Sequence, residues 1–425
     1  MRHTYILIGL FLLAGCATKT DTLMLTEWMV DYGGKEYPAT VPGFVHTDLM
    51  ANGIIPDPYY GTNEDSVRWV GECKWTYTLH LDRKRLPKGD TLWVVFEGLA
   101  GVADIVFYDD IQQPDTMTSY TSDNMFVGHA YPLPDFAEDI MVQFYPLHDS
   151  CREAEYGIVL PDRRAFTRIA PYQQGWDWGP KLPTCGIWKP VYVTNSRPGF
   201  VCGPVCGPVC CNSIAANKGI AANKGIAAHK RIELRQEADA IGRCFTFYRD
   251  GKPLFIQGAN WIPVHSFPVL DSANRARYRL LLTAAKDAGF NMLRVWGGGI
   301  YEHDYFFDLC DSLDIMVWMD FNFSTMLYPD NPEMLASIRE EARQNITRIA
   351  RHPCVVLWCG NNEVKNGWED WGWQGVYHWT PTQRARSEKK WHTQMSSDGY
   401  ICRNPNRNDQ MHHYDMNLNY IDENR

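Results

Sequence analysis

The feature that most constrains this chain is a change of period near Phe245. From there apolar residues group into successive strand–helix units, and Gly or polar residues stand where each strand ends. A hairpin signal at Asp250-Gly251 precedes a strand at Leu254–Ile256. Arg275–Ala288 repeats Leu281, Ala285 and Ala288 at helical spacing and stops at Gly289. Met292–Trp296 reads as a strand, Asp304–Leu313 as a helix and Ile315–Phe321 as a strand. Asn331 then caps a helix that has Pro332 in its first turn and the stripe Leu335, Ile338, Ala342, Ile346 and Ile349. Pro353 ends it, and Val355–Cys359 is the fourth strand. Parallel strands need such crossovers. Residues 245–376 are therefore expected to form the N-terminal half of a (β/α)8 TIM barrel, whose strand C-termini carry the site. Four strands leave two open edges, a reason to expect poor packing from residue 199 onward.

Upstream the pattern is different. Residues 23–198 hold short aromatic, alternating runs such as Lys74–Leu81 and Thr91–Glu97, separated by Gly, Pro and Asp turns. That predicts a β-sandwich of jelly-roll-like form, so the fold class is multidomain β plus α/β. Between the two, Val-Cys-Gly-Pro recurs at Val201 and Val205, and Gly-Ile-Ala-Ala recurs from Gly219 and Gly225. These units are far shorter than those of solenoids. Apolar periodicity collapses after Gln374, and 377–425 reads as a disordered tail.

A net charge of -9 argues against nucleic-acid binding. The 16 Trp and 22 Tyr are unusual. Aromatic faces pack on the C–H faces of sugars, although they fill β-rich cores equally well. At the N-terminus, Arg2 precedes a short apolar run, Tyr5–Ala14, too short to span a bilayer. Leu13-Ala14-Gly15-Cys16 is similar to a bacterial lipobox, so residues 1–16 read as a lipoprotein signal with Cys16 lipidated. The expected location is outside the cytoplasm, membrane-anchored, at the periplasmic or cell surface. Cys310, Cys354 and Cys359 sit in apolar segments and read as small buried hydrophobes. Cys202, Cys206, Cys210 and Cys211 have no CxxC pair and no His-x3-His partner, so no metal is expected.

The strongest chemical signal is Trp358-Cys359-Gly360-Asn361-Asn362-Glu363 at the end of the fourth strand. A carboxylic acid beside an amide and close to Trp368, Trp371 and Trp373 suits protonation of a glycosidic oxygen, and a solvated loop Glu reads equally well. Ser266 beside His265 lacks a nucleophile elbow, and Gly297-Gly298-Gly299 has the wrong spacing for a dinucleotide fingerprint.

Several longer segments bear a resemblance: FIQGANWIP (Phe255–Pro263), NMLRVWGGGIYE (Asn291–Glu302), APYQQGWDWGPKLPTCGIW (Ala170–Trp188), VPGFVHTDL (Val41–Leu49) and PDPYYGTNE (Pro56–Glu64). With Cys359–Glu363 they closely resemble the β-mannosidases of glycoside hydrolase family 2, over most of 25–198 and 245–374. The resemblance implies a retaining exo-hydrolase that removes terminal β-D-mannose, without cofactor, from β-mannoside oligosaccharides or glycosides. It implies Glu363 as acid/base, Asn362 as the amide that meets the sugar 2-hydroxyl, and Arg294 as support for the nucleophile. Trp296 and Trp371 would line the mannose site, and Trp176 and Asp177 would reach it from the sandwich. Residues 199–244 would be a shrunken remnant of the family's immunoglobulin-like domain. The sequence departs from the family at His265, where Asp is usual, and at 109–121. The family's nucleophile, a Glu on the seventh barrel strand, has no counterpart here, and Glu423 matches nothing. A retaining glycosidase needs two carboxylates about 5–5.5 Å apart, so this chain is expected to be inactive by itself. The alternatives are a non-catalytic lipid-anchored carbohydrate-binding protein and a fragment without function.

Overall fold

The structure, a computed structural model, describes residues 21–112, 115–146, 162–199, 232–238, 240–242, 244–329 and 331–373, with three two-residue strands beyond them. The lipobox with Cys16, the Cys202–Cys211 cluster and both tandem repeats lie outside the described residues.

Ten strands build the sandwich: β1 (Thr22–Met24), β2 (Trp28–Tyr32), β3 (Lys35–Ala39), β4 (Trp75–His80), β5 (Trp93–Phe96), β6 (Val102–Tyr108), β7 (Met117–Ser122), β8 (His129–Pro132), β9 (Asp139–Tyr145) and β10 (Val191–Thr194). They form a six-stranded sheet, β3-β2-β4-β9-β6-β7, and a four-stranded sheet, β1-β10-β5-β8. Along β9 buried residues alternate with half-buried ones, as expected of a strand with one face on the core. Trp28, Tyr77, Phe96, Phe107 and Phe144 fill the space between the sheets. Two short helices, α1 (Val45–Ala51) and α2 (Asn63–Ser66), interrupt a region read from its sequence as all strand.

The hairpin at Asp250-Gly251 forms, with both residues at positive φ. It joins β12 (Thr246–Arg249) to β13 (Lys252–Leu254), and β11 (Ile232–Arg235) completes a three-stranded antiparallel sheet. This corrects one expectation. Leu254 ends the hairpin, Phe255 is 84% exposed, and the first barrel strand is β14 (Gly258–Trp261).

The half-barrel follows as β14, β15 (Met292–Val295), β16 (Met316–Asp320) and β17 (Val355–Cys359), paired in parallel and in that order. The crossovers are α3 (Ser272–Asp287), α4 (Asp304–Leu313) and α5 (Pro332–Ile349). Asp271 caps α3 by accepting from the Asn274 N–H at 2.7 Å, and Gly289, at φ +84°, ends it. Its buried face carries Tyr278 and Leu282, whereas the expected Leu281 is 45% exposed. Asn331 stands at the N-cap of α5, but its side-chain oxygen accepts from no N–H of the first turn, and its amide donates to Glu333 instead. The most buried residues of α5 are Met334, Ile338, Glu341, Asn345 and Ile349, so its inner face is rotated from the expected apolar stripe. A short helix, α6 (Val364–Glu369), begins directly after Glu363. In the tail 377–425 the described residues are β18 (Ile401–Cys402), antiparallel to β17, and the pair β19 (His413–Tyr414) and β20 (Tyr420–Ile421).

One hydrophobic core runs through both parts, joining Phe44, Phe126 and Trp188 of the sandwich to Phe267, Tyr301 and Phe306 of the half-barrel. Polar ties cross the same boundary: Tyr172 Oη donates to the His265 carbonyl at 3.0 Å, and Asn345 Nδ2 to the Phe126 carbonyl at 3.0 Å. Among the described residues no helix is long and apolar enough to cross a membrane.

Candidate active site

The C-terminal ends of the four parallel strands converge on one charged network. Arg294, near the end of β15, is held by Asp320 at the end of β16. Nη2 meets Oδ2 at 2.6 Å and Nε meets Oδ1 at 3.3 Å. Asp320 is fully buried, and it also accepts from Trp318 Nε1 at 2.9 Å and from the Gly297 N–H at 3.2 Å. Burial raises its pKa to about 6 despite Arg294 and these donors.

Arg294 further donates to Asn362 Oδ1 at 2.9 Å and to Asn260 Oδ1 at 3.2 Å. A guanidinium only donates, so it determines which end of the Asn362 amide faces it. Nδ2 then points the other way, toward Ser324 Oγ at 3.2 Å and Glu363 Oε2 at 3.3 Å. Glu363 is exposed at the mouth, and Thr325 Oγ1 stands 3.5 Å from the same carboxylate oxygen. Glu363 takes φ +60° and Thr325 φ +49°, left-handed conformations that cost a non-glycine residue about 1–3 kcal/mol.

Aromatic rings from both parts of the chain make the wall of the mouth. Trp296 is met edge-on by Trp176 at 4.9 Å and by Trp178 at 5.5 Å, both on the sandwich loop that follows Ala170. Trp178 stacks on Tyr172 at 5.8 Å and is 40% exposed. Asp177 between them is exposed. Arg164 steadies the loop, with its guanidinium 5.6 Å from the Trp176 ring. A Cβ on Gly298 would strike the Trp296 ring, so glycine there leaves room for the indole. Trp371, 47% exposed, stands edge-on to Trp373 at 6.0 Å.

The structure thus gathers Arg294, Asn362 and Glu363 into one network and Trp176 and Trp296 into one wall. Arg294 forms an ion pair with Asp320, whose oxygens are both engaged. Sequence reasoning missed Asp320, Asn260, Ser324, Thr325 and Trp178. Asp320 and Asn260 do have a signal, because both lie at the C-terminal ends of barrel strands. His265 turns inward: Nδ1 accepts from the Phe267 N–H at 3.1 Å, and burial lowers its pKa. Away from the mouth, Asp308, Asp311 and His352 could together offer ligand atoms to a metal ion. His352 lies 3.0 Å from Asp311, whose other oxygen accepts from the Cys354 N–H, so the group also works as a latch between α4 and β17. Cys310 and Cys354 are buried free thiols, and Cys359 is a half-buried one.

A carboxylate just past the end of a fourth parallel strand, beside an oriented amide and with indoles reaching the half-barrel from a β-sandwich, can serve acid–base chemistry on a sugar. Residues 27–189 match the family described as Glycosyl hydrolase 2 galactose-binding domain-like. The β-mannosidase of Mus musculus is 30% identical over 467 aligned residues, covering 85% of this chain and 52% of that protein. β-Mannosidase B of Emericella nidulans is also 30% identical, with 81% and 51% covered. The crystal structure of a β-D-mannosidase from Dictyoglomus thermophilum superposes with a TM-score of 0.66 at 28% identity, covering 87% of this chain and 56% of that one. The chain belongs to glycoside hydrolase family 2 and is similar to its β-mannosidases over most of its own length. It spans about half the length of the curated relatives it matches.

Proposed function

We propose that this mouth takes the terminal, non-reducing β-D-mannose of a β-mannoside, with Glu363 as the general acid/base of a retaining hydrolysis. The observation that carries the reading is the carboxylate of Glu363 at the end of β17, facing an Asn362 amide that Arg294 orients. In that role Glu363 protonates the leaving oxygen and later takes a proton from the incoming water, while Asn362 meets the 2-hydroxyl. Trp176 and Trp371 would offer flat faces to the sugar, the buried Trp296 would back Trp176 as the inner part of that wall, and Asp177 would accept from a hydroxyl.

Covalent retention needs a second carboxylate opposite Glu363. Asp320, fully buried behind Arg294, does not qualify, and the sequence offers no counterpart to the family's nucleophile. These 425 residues therefore bind mannosides without turning them over, and turnover requires a Glu supplied about 5–5.5 Å away. Mannose should quench tryptophan fluorescence in this chain, and 4-nitrophenyl β-D-mannoside should release no nitrophenol above blank. Measurable release would overturn the inactive reading, and absence of saturable mannose binding would overturn the site itself. The Leu13–Cys16 pattern supports a lipid anchor at Cys16. Labelled palmitate should mark the protein in a bacterial host and fail to mark Cys16→Ser.

A further inference from the structure

The loop that carries the partners of Glu363 is tied down by a residue of the other domain. Arg168, 2% exposed, belongs to the sandwich and reaches into the half-barrel. Its Nε and Nη2 grip Glu341 of α5 at 2.8 and 2.6 Å. Nη2 also donates to the backbone carbonyl of Asn322 at 2.7 Å, just beyond the end of β16. The guanidinium lies 4.3 Å from the centroid of the Phe323 ring. The Asn322 N–H donates to Tyr301 Oη at 3.3 Å, and that hydroxyl donates to Glu341 at 2.8 Å. Both backbone polar groups of Asn322 thus end on one buried cluster.

From Asn322 the loop leads straight to the acid. The Phe323 carbonyl accepts from the Asn362 N–H at 2.8 Å, and the Thr325 N–H donates to the Asn362 carbonyl at 3.0 Å. Ser324 Oγ and Thr325 Oγ1 then stand against Asn362 Nδ2 and Glu363 Oε2. Thr325 and Glu363 hold left-handed conformations, which persist only where the surroundings over-determine them.

We propose that Arg168 is a positioning residue for Glu363: it fixes the 322–325 loop that sets the pose of Asn362 and of the acid. The proposal rests on the reading of Glu363 as the acid, and it makes the sandwich part of the acid's support. Arginine suits the task because its planar fork serves a carboxylate and a carbonyl together. A lysine ammonium would keep the charge pair with Glu341 and release Asn322.

Hydrogen exchange of the full chain tests this. The double variant Arg168→Met/Glu341→Met removes the pair without stranding a buried charge. It should speed exchange in segments 322–328 and 360–366 at least tenfold and leave strands β5 and β6 unchanged. Arg168→Lys should loosen the same two segments while α5 stays protected, a result that a purely structural ion pair would not produce. Unchanged exchange at 322–328 and 360–366 in both variants would overturn the proposal, as would uniform acceleration along the chain. Binding of 1-deoxymannojirimycin by the wild type and by Glu363→Gln separates the two readings. Equal affinities would sink the acid assignment alone, and the exchange result would still decide the role of Arg168.

Discussion

Asp48 illustrates what burial does to a single carboxyl. It is 1% exposed and accepts from the Thr40 N–H at 2.8 Å and from Tyr77 Oη at 2.9 Å. Burial nevertheless raises its pKa from 3.8 to about 7. The native state therefore keeps a proton that the unfolded chain has already lost, and stability falls as pH rises from about 4 to about 7. Buried His46, lowered from 6.5 to about 3, acts with the opposite sign over much of the same range, but it is common to wild type and variant. Asp48→Asn should thus gain about 2–3 kcal/mol relative to wild type between pH 5 and pH 8 in urea unfolding. A difference independent of pH would refute the burial argument. Asn322 is a second case. It is 1% exposed, and among the described residues neither atom of its side-chain amide has a partner. An unpaired buried amide costs about 1–3 kcal/mol. Asn322→Leu should raise the melting temperature by several degrees, and a lower one would mean that the amide has a use at this site.

At the scale of elements, α5 shows how packing against two surfaces hides a pattern. Apolar periodicity points to Leu335, Ala342 and Ile346, yet Glu341 and Asn345 are among its most buried residues. They are buried because the sandwich covers that flank and supplies Arg168, Asn124 and the Phe126 carbonyl as partners. The loop after β15 depends on a different constraint. Trp296 lies against Gly298 and is wedged by Trp176 and Trp178. Gly298→Ala should displace that indole and weaken mannose binding tenfold or more, with the sandwich equally stable. Unaltered binding would show that Trp296 is barrel packing and not part of a sugar wall.

At the scale of the whole molecule, the half-barrel is not the loosely packed remnant that its four strands suggested. Its core continues into that of the sandwich, and a buried ion pair at the boundary is 2% and 1% exposed on its two sides. If a protease site is placed within 200–231 and cut, the two pieces should co-elute on size exclusion. Separate elution would mean that each part stands alone. Open surface remains at β14, where Gly258, Ala259 and Asn260 are exposed, and on α3, where Leu280 is 69% exposed. Much of this architecture is legible in the sequence, because local period reports which residues avoid water: the β-rich first part and the parallel strands from Met292 onward follow from it, and they set Glu363 just past the end of β17. Motif resemblance adds Trp176, Arg294 and Asn362. Period cannot report partners distant along the chain. That Arg294 pairs with Asp320 and that β14 begins at Gly258, four residues past the start of the expected strand, are decided when the parallel strands assemble. That Arg168 holds the 322–325 loop is decided only when the sandwich closes on the half-barrel. A buried charge is tolerable only where its counter-charge arrives in three dimensions.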